Sequence, residues 1–330
     1  RSQSSMTRWT AEPRAKAHAR TRLNEDSPRT SSSTCSKWLG LVAEAGRDAA
    51  VVAELAYDLN FHRASVALDF IAKKANRDEG NARHCLAAYG MERMMGRADT
   101  PVRRIFNKAL ELAAPKLPPI LWILTVMQRD DSGKMVMRGF YAGDDLECFE
   151  KAAALSRLVN IDMLEEPIEK ALVWLDPMEF KSTWLGNKAV YRTRMAMADG
   201  GELIVLAPGV DKFGEDEAVD GLIRKYGYKG RDYVLETVQS APDLGENLSA
   251  AAHLIHGSSD GRFRITYCTR HLSRDEVEGV GYGYMPYAEA VAKYPIDTLQ
   301  PGPNRLQDGE EVYYIPNPAL GLWVEKGKLN

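Results

Sequence analysis

Residues 200–209 read Gly-Gly-Glu-Leu-Ile-Val-Leu-Ala-Pro-Gly, and this stretch decides the fold class. The run Glu202–Ala207 is almost continuously apolar, which is typical of a strand that is buried on both faces of a parallel sheet. In open α/β sheets, ligands gather at the carboxyl ends of such strands. The position of Ala-Pro-Gly therefore suits a binding site, although the stretch has neither GxGxxG spacing nor a Walker loop.

Strands and helices alternate on both sides of this strand. Further strands are predicted at Ile120–Met127, Met135–Tyr141, Ala171–Leu175, Arg264–Cys268 and Val312–Ile315. Helices are predicted from Asp144 or Asp145 through Leu158, from Ser182 through Ala198 with Gly200 and Gly201 ending it, and at Glu217–Tyr226, Asp232–Val238, Asn247–Ile255 and Tyr287–Lys293. Tyr313–Trp323 is expected to pack as a terminal strand and loop. This alternation predicts a layered α/β domain over residues 117–330.

The first third of the chain has a different composition. Residues 39–116 are rich in alanine and predict a mainly helical segment that ends at Pro115, Pro118 and Pro119, our expected domain boundary. Residues 1–38 contain eight basic and three acidic residues and few apolar ones. We expect a disordered basic tail. A nucleic-acid-binding arm is the alternative, but no aromatic interleaving supports it.

Composition excludes several classes of protein. The net charge of −3 indicates no polyanionic partner, so we expect no nucleic-acid ligand, and no apolar run is long enough for a membrane helix. Cys35, Cys85, Cys148 and Cys268 are far apart and form no CxxC pair, which argues against structural zinc and a disulfide scaffold. We therefore expect a cytoplasmic protein. No signal peptide is recognisable, and because the sequence starts with Arg1 we expect a fragment.

Lys188 and Arg192 are the first candidate binding residues. They are four positions apart in a predicted helix and thus share one face. Such a pair is either a solvated basic face or a clamp for a carboxylate or phosphate, since a guanidinium fork and an ammonium both form charge-assisted hydrogen bonds.

His253 and His256 form the second candidate group, at the end of a predicted helix. Their spacing serves a metal only if further ligands come from elsewhere, so we expect no metal site and favour an interaction with the helix dipole. A substrate contact from His256 and the Gly-Ser-Ser loop after it is a further option. His271 is a lone histidine with the same ambiguity.

Four segments together resemble a known family. They are Phe140-Tyr-Ala-Gly-Asp144, Trp184-Leu-Gly-Asn-Lys188, the strand 200–209 and His253-Leu-Ile-His-Gly-Ser-Ser. In this order and spacing, they resemble the C-terminal domain of the nickel-dependent lactate racemase (LarA-like) family over roughly Leu117 to Asn330.

The resemblance implies a two-domain racemase or epimerase of 2-hydroxy acids with a nickel-pincer nucleotide. In that chemistry the cofactor takes a hydride from the carbinol carbon while a histidine takes the hydroxyl proton. Lys188 matches the lysine of the family's Gln-x-x-Lys helix, and Arg192 would add a carboxylate contact. Leu185 replaces the glutamine, so the resemblance implies a sugar acid rather than lactate as the substrate.

The upstream part departs from the family. His62, Lys73, Lys74 and His84 lack the glycine-rich context of the family's pincer-carrying lysine, so no catalytic or cofactor-binding role is assigned to them. We therefore expect residues 39–116 to be the remnant of a truncated or diverged cofactor-binding domain. A non-catalytic domain that binds a small acid or a partner protein, and an unrelated CoA-type α/β enzyme, stay open as alternatives.

Overall fold

The computed structural model describes residues 90–100, 103, 107, 121–130 and 133–329. The predicted basic tail, most of the predicted helical segment, His62, Lys73, Lys74 and His84 lie outside these residues, and the domain boundaries stay predictions. The described part has the α/β architecture that the alternating pattern predicts.

A mixed sheet forms the centre of the described part. Its strands are β4 (Ile168–Trp174), β5 (Met197–Ala207), β6 (Arg264–Thr269), β7 (Gly283–Tyr284), β8 (Gly302–Arg305) and β9 (Glu311–Ile315). Their spatial order is β7-β6-β5-β4-β9-β8, and only the edge strand β8 pairs antiparallel. The strand order therefore reverses between β4 and β9, the position where ligands gather in doubly wound sheets.

Both faces of this sheet are buried. Ala171 and Val173 of β4 face a large apolar core, whereas Leu172 between them faces a smaller core on the other side. This alternation follows from the two-residue repeat of a strand. It explains why the strands read as continuous apolar runs, because each face has its own helices to bury it.

Helices cover both faces. The larger core lies under α3 (Thr183–Gly186), α4 (Lys188–Thr193), α5 (Glu217–Tyr226), α6 (Arg231–Ser240), α7 (Pro242–Gly245) and α8 (Leu248–His256). The smaller core lies under α10 (Tyr287–Lys293), which follows α9 (Arg274–Gly279). Two 3₁₀ turns, Ile296–Thr298 and Pro318–Leu320, complete the connections.

Four further strands and two helices of the described part flank this core. The hairpin of β1 (Trp122–Arg129) and β2 (Met135–Gly143) packs against α2 (Leu146–Asn160), whose first turn is capped by Asp145. β3 (Ile161–Leu164) pairs in parallel with β10 (Leu322–Glu325). The short helix α1 (Met91–Met94) precedes them.

A buried arginine fastens α1 to the α/β domain. Arg194 is 1% exposed, and its Nε lies 2.5 Å from a carboxylate oxygen of Glu92 in α1. Its Nη2 lies 2.7 Å from Asp260, and its Nη1 donates to the Ser258 carbonyl. Each of the three guanidinium nitrogens of Arg194 therefore has an acceptor, which a buried charge requires.

Most predicted elements are present, but one prediction is wrong. The single helix expected from Ser182 through Ala198 is two short helices that meet at Asn187, and the chain from Met197 onward already belongs to β5. Gly200 and Gly201 therefore lie inside a strand and end no helix. The break occurs because the Asn187 side chain turns inward to buried tyrosines, which no helix propensity reveals.

No helix in the described part of the chain has the length and apolar character that a membrane crossing requires.

Candidate functional site

The candidate site lies where the strand order of the main sheet reverses. The loop after β4 carries Glu179, and the loop after β9 carries Asn317, whose side-chain nitrogen lies 3.5 Å from a Glu179 carboxylate oxygen. α4 packs against the turn Pro318–Leu320 and against β10. Polar groups from two loops and one helix thus meet at the carboxyl edge of the parallel strands.

Lys188 is the first residue of α4 and points toward this edge. Its Nζ lies 3.8 Å from a Glu179 carboxylate oxygen and 5.6 Å from the centre of the Phe180 ring. The side chain is 28% exposed. At 3.8 Å the ion pair is at the limit of a direct contact, so the ammonium keeps donors for another acceptor.

Arg192 lies one helical turn after Lys188 on the same face of α4. Its side chain is half-buried, and its Nη1 lies 3.5 Å from the Gly321 carbonyl oxygen, a long hydrogen bond. The guanidinium carbon lies 5.7 Å from the ring centre of Tyr191. Its Nε is buried without a hydrogen-bond acceptor, and no carboxylate of the described residues forms an ion pair with it. The group thus has unused donors and no counterion within the described structure.

A buried network of tyrosines holds the start of α4. The fully buried Asn187 accepts hydrogen bonds at its side-chain oxygen from the Tyr267 hydroxyl at 3.2 Å and the Tyr282 hydroxyl at 3.1 Å. The Tyr282 hydroxyl also lies 2.8 Å from the Gly257 carbonyl oxygen. Because Asn187 directly precedes Lys188, these contacts fix the backbone position from which the Lys188 side chain extends.

His253 continues the network below α3. Its Nε2 lies 3.0 Å from the Tyr228 hydroxyl and 3.4 Å from the Asn187 side-chain nitrogen, and its ring stacks on Trp184. The Tyr228 hydroxyl also lies 2.8 Å from the Thr183 hydroxyl, which donates to a backbone carbonyl. Burial raises the pKa of Tyr228 well above its usual value, so the phenol stays protonated and acts as a donor.

His256, the last residue of α8, is buried next to α4. It is 7% exposed, and its ring centre lies 5.2 Å from that of Tyr191. Burial, with additional effects of His253 and Arg194, lowers the pKa of His256 well below its usual value. The neutral imidazole has no charge with which to stabilise a helix dipole, and its predicted contact with a substrate stays a prediction.

The described residues do not fit a nickel-pincer nucleotide. Among the residues that the structure describes, no group of three or more His, Cys, Asp or Glu side chains is placed to hold a metal ion. His253 is engaged by Tyr228 and stacked on Trp184, which leaves its ring inside the core. The cofactor is therefore assigned no residue here.

The site contains residues that sequence reasoning missed. Glu179 and Asn317 are 138 positions apart, and only the pairing of β4 with β9 brings their loops together. Asn187 lies within the Trp184–Lys188 segment, but its role depends on Tyr267 of β6 and Tyr282 of the turn before β7. Conversely, Gly209 lies against Pro177, since a Cβ at Gly209 would be 2.6 Å from the Pro177 Cα. The Ala-Pro-Gly turn therefore packs closely against the loop after β4 at this position.

Comparisons with solved structures identify the type of fold. A scan against protein-family models finds no match, and a search of the curated proteins finds no significant match. A crystal structure of a protein from Thermotoga maritima aligns with a TM-score of 0.60 at 23% identity, over 75% of this chain and 59% of that chain. At this identity the likeness shows the fold alone.

A second solved structure aligns more weakly. The lactate racemase apoprotein from Thermoanaerobacterium thermosaccharolyticum has a TM-score of 0.44 and 15% identity, over 67% of this chain and 49% of that chain. The chain therefore spans about half to three-fifths of the length of these two proteins. It shares its α/β fold with the Thermotoga protein.

Proposed function

We propose that the α/β domain binds the carboxylate of a small 2-hydroxy acid between Lys188 and Arg192. The domain would be the substrate-holding part of a racemase or epimerase. The observation that carries the proposal is the half-buried guanidinium of Arg192, whose Nε is buried without an acceptor among the described residues and whose Nη1 has a long hydrogen bond to the Gly321 carbonyl oxygen. A cation withdrawn from water is stabilised when an anion takes up its free donors.

The neighbouring groups suit the rest of a hydroxy acid. Lys188 contributes a second positive charge from the same helix face, and its only ion pair within the described residues is the long one to Glu179. Glu179 and the Asn317 side chain lie beside it at the sheet edge and are suited to hydrogen bonds with a hydroxyl group. A sugar acid has several hydroxyl groups for such contacts, which favours it over lactate.

Fixed geometry supports a role in holding a reacting carbon. The Asn187 network anchors the first turn of α4 to β6, so Lys188 is placed by the core of the domain and not by a flexible loop. An enzyme that inverts a carbon centre must keep the carboxylate still while that carbon becomes planar.

Binding measurements on the full chain test the proposal. Calorimetric titration with D-gluconate and with L-lactate is expected to show binding that Arg192→Ala and Lys188→Ala each weaken by about tenfold, equivalent to about 1.4 kcal/mol. The matched controls are Arg305→Ala and Lys326→Ala, because both side chains are exposed and lie outside the site. Equal affinity in the site variants and the controls would refute the proposal.

A non-catalytic acid-binding domain is the second candidate. The observation in its favour is that His253 and His256 are both buried, so neither presents a ring nitrogen at the surface of α4. Chiral chromatography after incubation with one enantiomer of lactate, or with one epimer of a sugar acid, distinguishes the two candidate functions. Interconversion that Lys188→Ala abolishes supports the racemase or epimerase, and binding without interconversion supports the non-catalytic domain.

A further inference from the structure

A pocket at the other end of the same sheet edge has the features of a second binding site. It lies beyond the carboxyl ends of β6 and β7, next to the first turns of α10, and its volume is about 460 Å³. Its walls include Thr269, Arg270, Tyr284, Pro286, Tyr287 and Val291. The pocket is shallow and open to solvent, and its volume is within the range of small-molecule sites.

The walls of the pocket combine flat aromatic surfaces with an available cation. The guanidinium carbon of Arg270 lies 4.5 Å from the centre of the Tyr287 ring. Arg274, at the start of α9, lies 4.9 Å from the centre of the Tyr284 ring and is paired with Glu278. Arg270 itself is exposed and forms no ion pair with a carboxylate of the described residues. Cation–π contact orients its guanidinium plane, and no carboxylate in the described ranges neutralises its charge.

The remaining wall groups limit the ligand. The Thr269 hydroxyl already donates to the Val210 carbonyl oxygen and accepts from the His271 amide, so it offers little to a ligand. Pro286 and Val291 provide apolar contact. A ligand therefore gains most from a flat apolar ring against the tyrosines and one anionic group on Arg270.

We infer that the pocket between β6, β7 and α10 binds a planar aromatic anion, with its ring against the Tyr284 and Tyr287 side chains, beside the guanidinium groups of Arg274 and Arg270 that lie over those rings, and with its negative charge on Arg270. The inference is independent of the acid site at Lys188 and Arg192, because it uses different strands and different cations. A nucleoside monophosphate and an aromatic carboxylate share this chemistry.

Titration of the full chain with matched probes tests the inference and separates the two sources. Adenosine 5′-monophosphate and indole-3-acetate each combine a ring with an anion, whereas adenosine has only the ring, and inorganic phosphate and acetate have only the anion. One of the two ring anions is expected to bind at least about tenfold more tightly than its single-feature counterparts. The ring anion that binds more tightly identifies the source.

Two variants and a control assign the binding to this pocket. Arg270→Gln is expected to weaken binding of the ring anion by about tenfold, and Tyr287→Leu is expected to weaken it similarly. Arg305→Gln is expected to leave the affinity unchanged. Arg192→Ala should also leave it unchanged, because that residue belongs to the other site. The inference is overturned if neither ring anion binds below about 1 mM, if phosphate or acetate binds as tightly as the ring anion, or if Arg270→Gln has no effect. The probe comparison on the unmodified chain decides the question even if Tyr287→Leu does not fold.

Discussion

The side-chain oxygen of Asn187 lies 3.2 Å from the hydroxyl group of Tyr267, and this contact joins the start of α4 to the centre of β6. Tyr267 is 1% exposed, and burial raises its pKa well above the usual value, so the hydroxyl stays protonated and donates. Asn187→Leu would leave the Tyr267 hydroxyl without the Asn187 acceptor, whereas the Tyr282 hydroxyl would keep the Gly257 carbonyl oxygen at 2.8 Å. We expect the free energy of unfolding to fall by roughly 1–3 kcal/mol, the cost of unsatisfied buried polar groups.

Urea denaturation followed by circular dichroism measures this change. Tyr267→Phe is the matched control, because it removes one donor and leaves Asn187 with the Tyr282 hydroxyl, so its effect should be smaller, about 1 kcal/mol. An Asn187→Leu protein as stable as the parent chain would contradict the central role of this network.

Gly257 allows the close approach on which the same network depends. A Cβ at this position would lie 2.3 Å from the Asn187 side-chain nitrogen and 2.4 Å from a ring carbon of Tyr228. Gly257→Ala is therefore expected to lower the free energy of unfolding by roughly 1–3 kcal/mol through overpacking. Gly221→Ala in α5 is the control, since a Cβ there meets nothing within 4 Å and alanine favours a helix by about 0.5–1 kcal/mol. Thermal melts that rank the two variants in the opposite order would disprove this account.

The ion pairs of Arg194 are expected to hold α1 on the domain. Arg194→Met removes the cation from the carboxylates of Glu92 and Asp260, each about one-third exposed, and leaves Glu92 the longer contact with Arg262 at 3.6 Å. We expect a loss of roughly 1–3 kcal/mol in the free energy of unfolding. Hydrogen exchange should increase over residues 91–97.

Arg264→Met is the control for that variant. Arg264 pairs with Glu202 but is 69% exposed, so solvent screens its ion pair and the loss should stay near 0–1 kcal/mol. If the two variants destabilise the protein equally, burial of Arg194 does not have the importance given to it here.

His256 should make stability depend on pH below neutrality. Burial and the nearby His253 and Arg194 lower the pKa of His256 well below the usual 6.5. As pH falls through about 6.5 the unfolded chain takes up a proton there and the native protein does not, so the free energy of unfolding decreases. Above that pH both states are neutral at this position and the residue contributes no slope.

Denaturation at pH 7.5 and pH 5.5 measures this contribution. His256→Gln should reduce the difference between the two pH values by roughly 1.4 kcal/mol, the value of one pKa unit. The exposed His271→Gln is the control. If His256→Gln shows the same pH dependence as the parent chain, the imidazole is protonated equally in both states.

The sequence alone determined the type of fold and most of its elements. Continuous apolar runs such as Glu202–Ala207 predict strands buried on both faces, and the helices Glu217–Tyr226 and Tyr287–Lys293 have the predicted bounds. Both signals are local, because a period of two or 3.6 residues and a capping group are visible within one segment. The spacing of Lys188 and Arg192 on one helix face is local in the same sense.

Only the tertiary structure decided what surrounds those two cations. The approach of Glu179 to Asn317 and the reversal of strand order at β4 and β9 depend on pairings between distant segments. The break at Asn187 depends on Tyr267 and Tyr282, which are 80 and 95 positions away. Local propensity favours one continuous helix there, but the buried Asn187 amide is held by the hydroxyl groups of these two tyrosines, because an unsatisfied polar group in the core is costly.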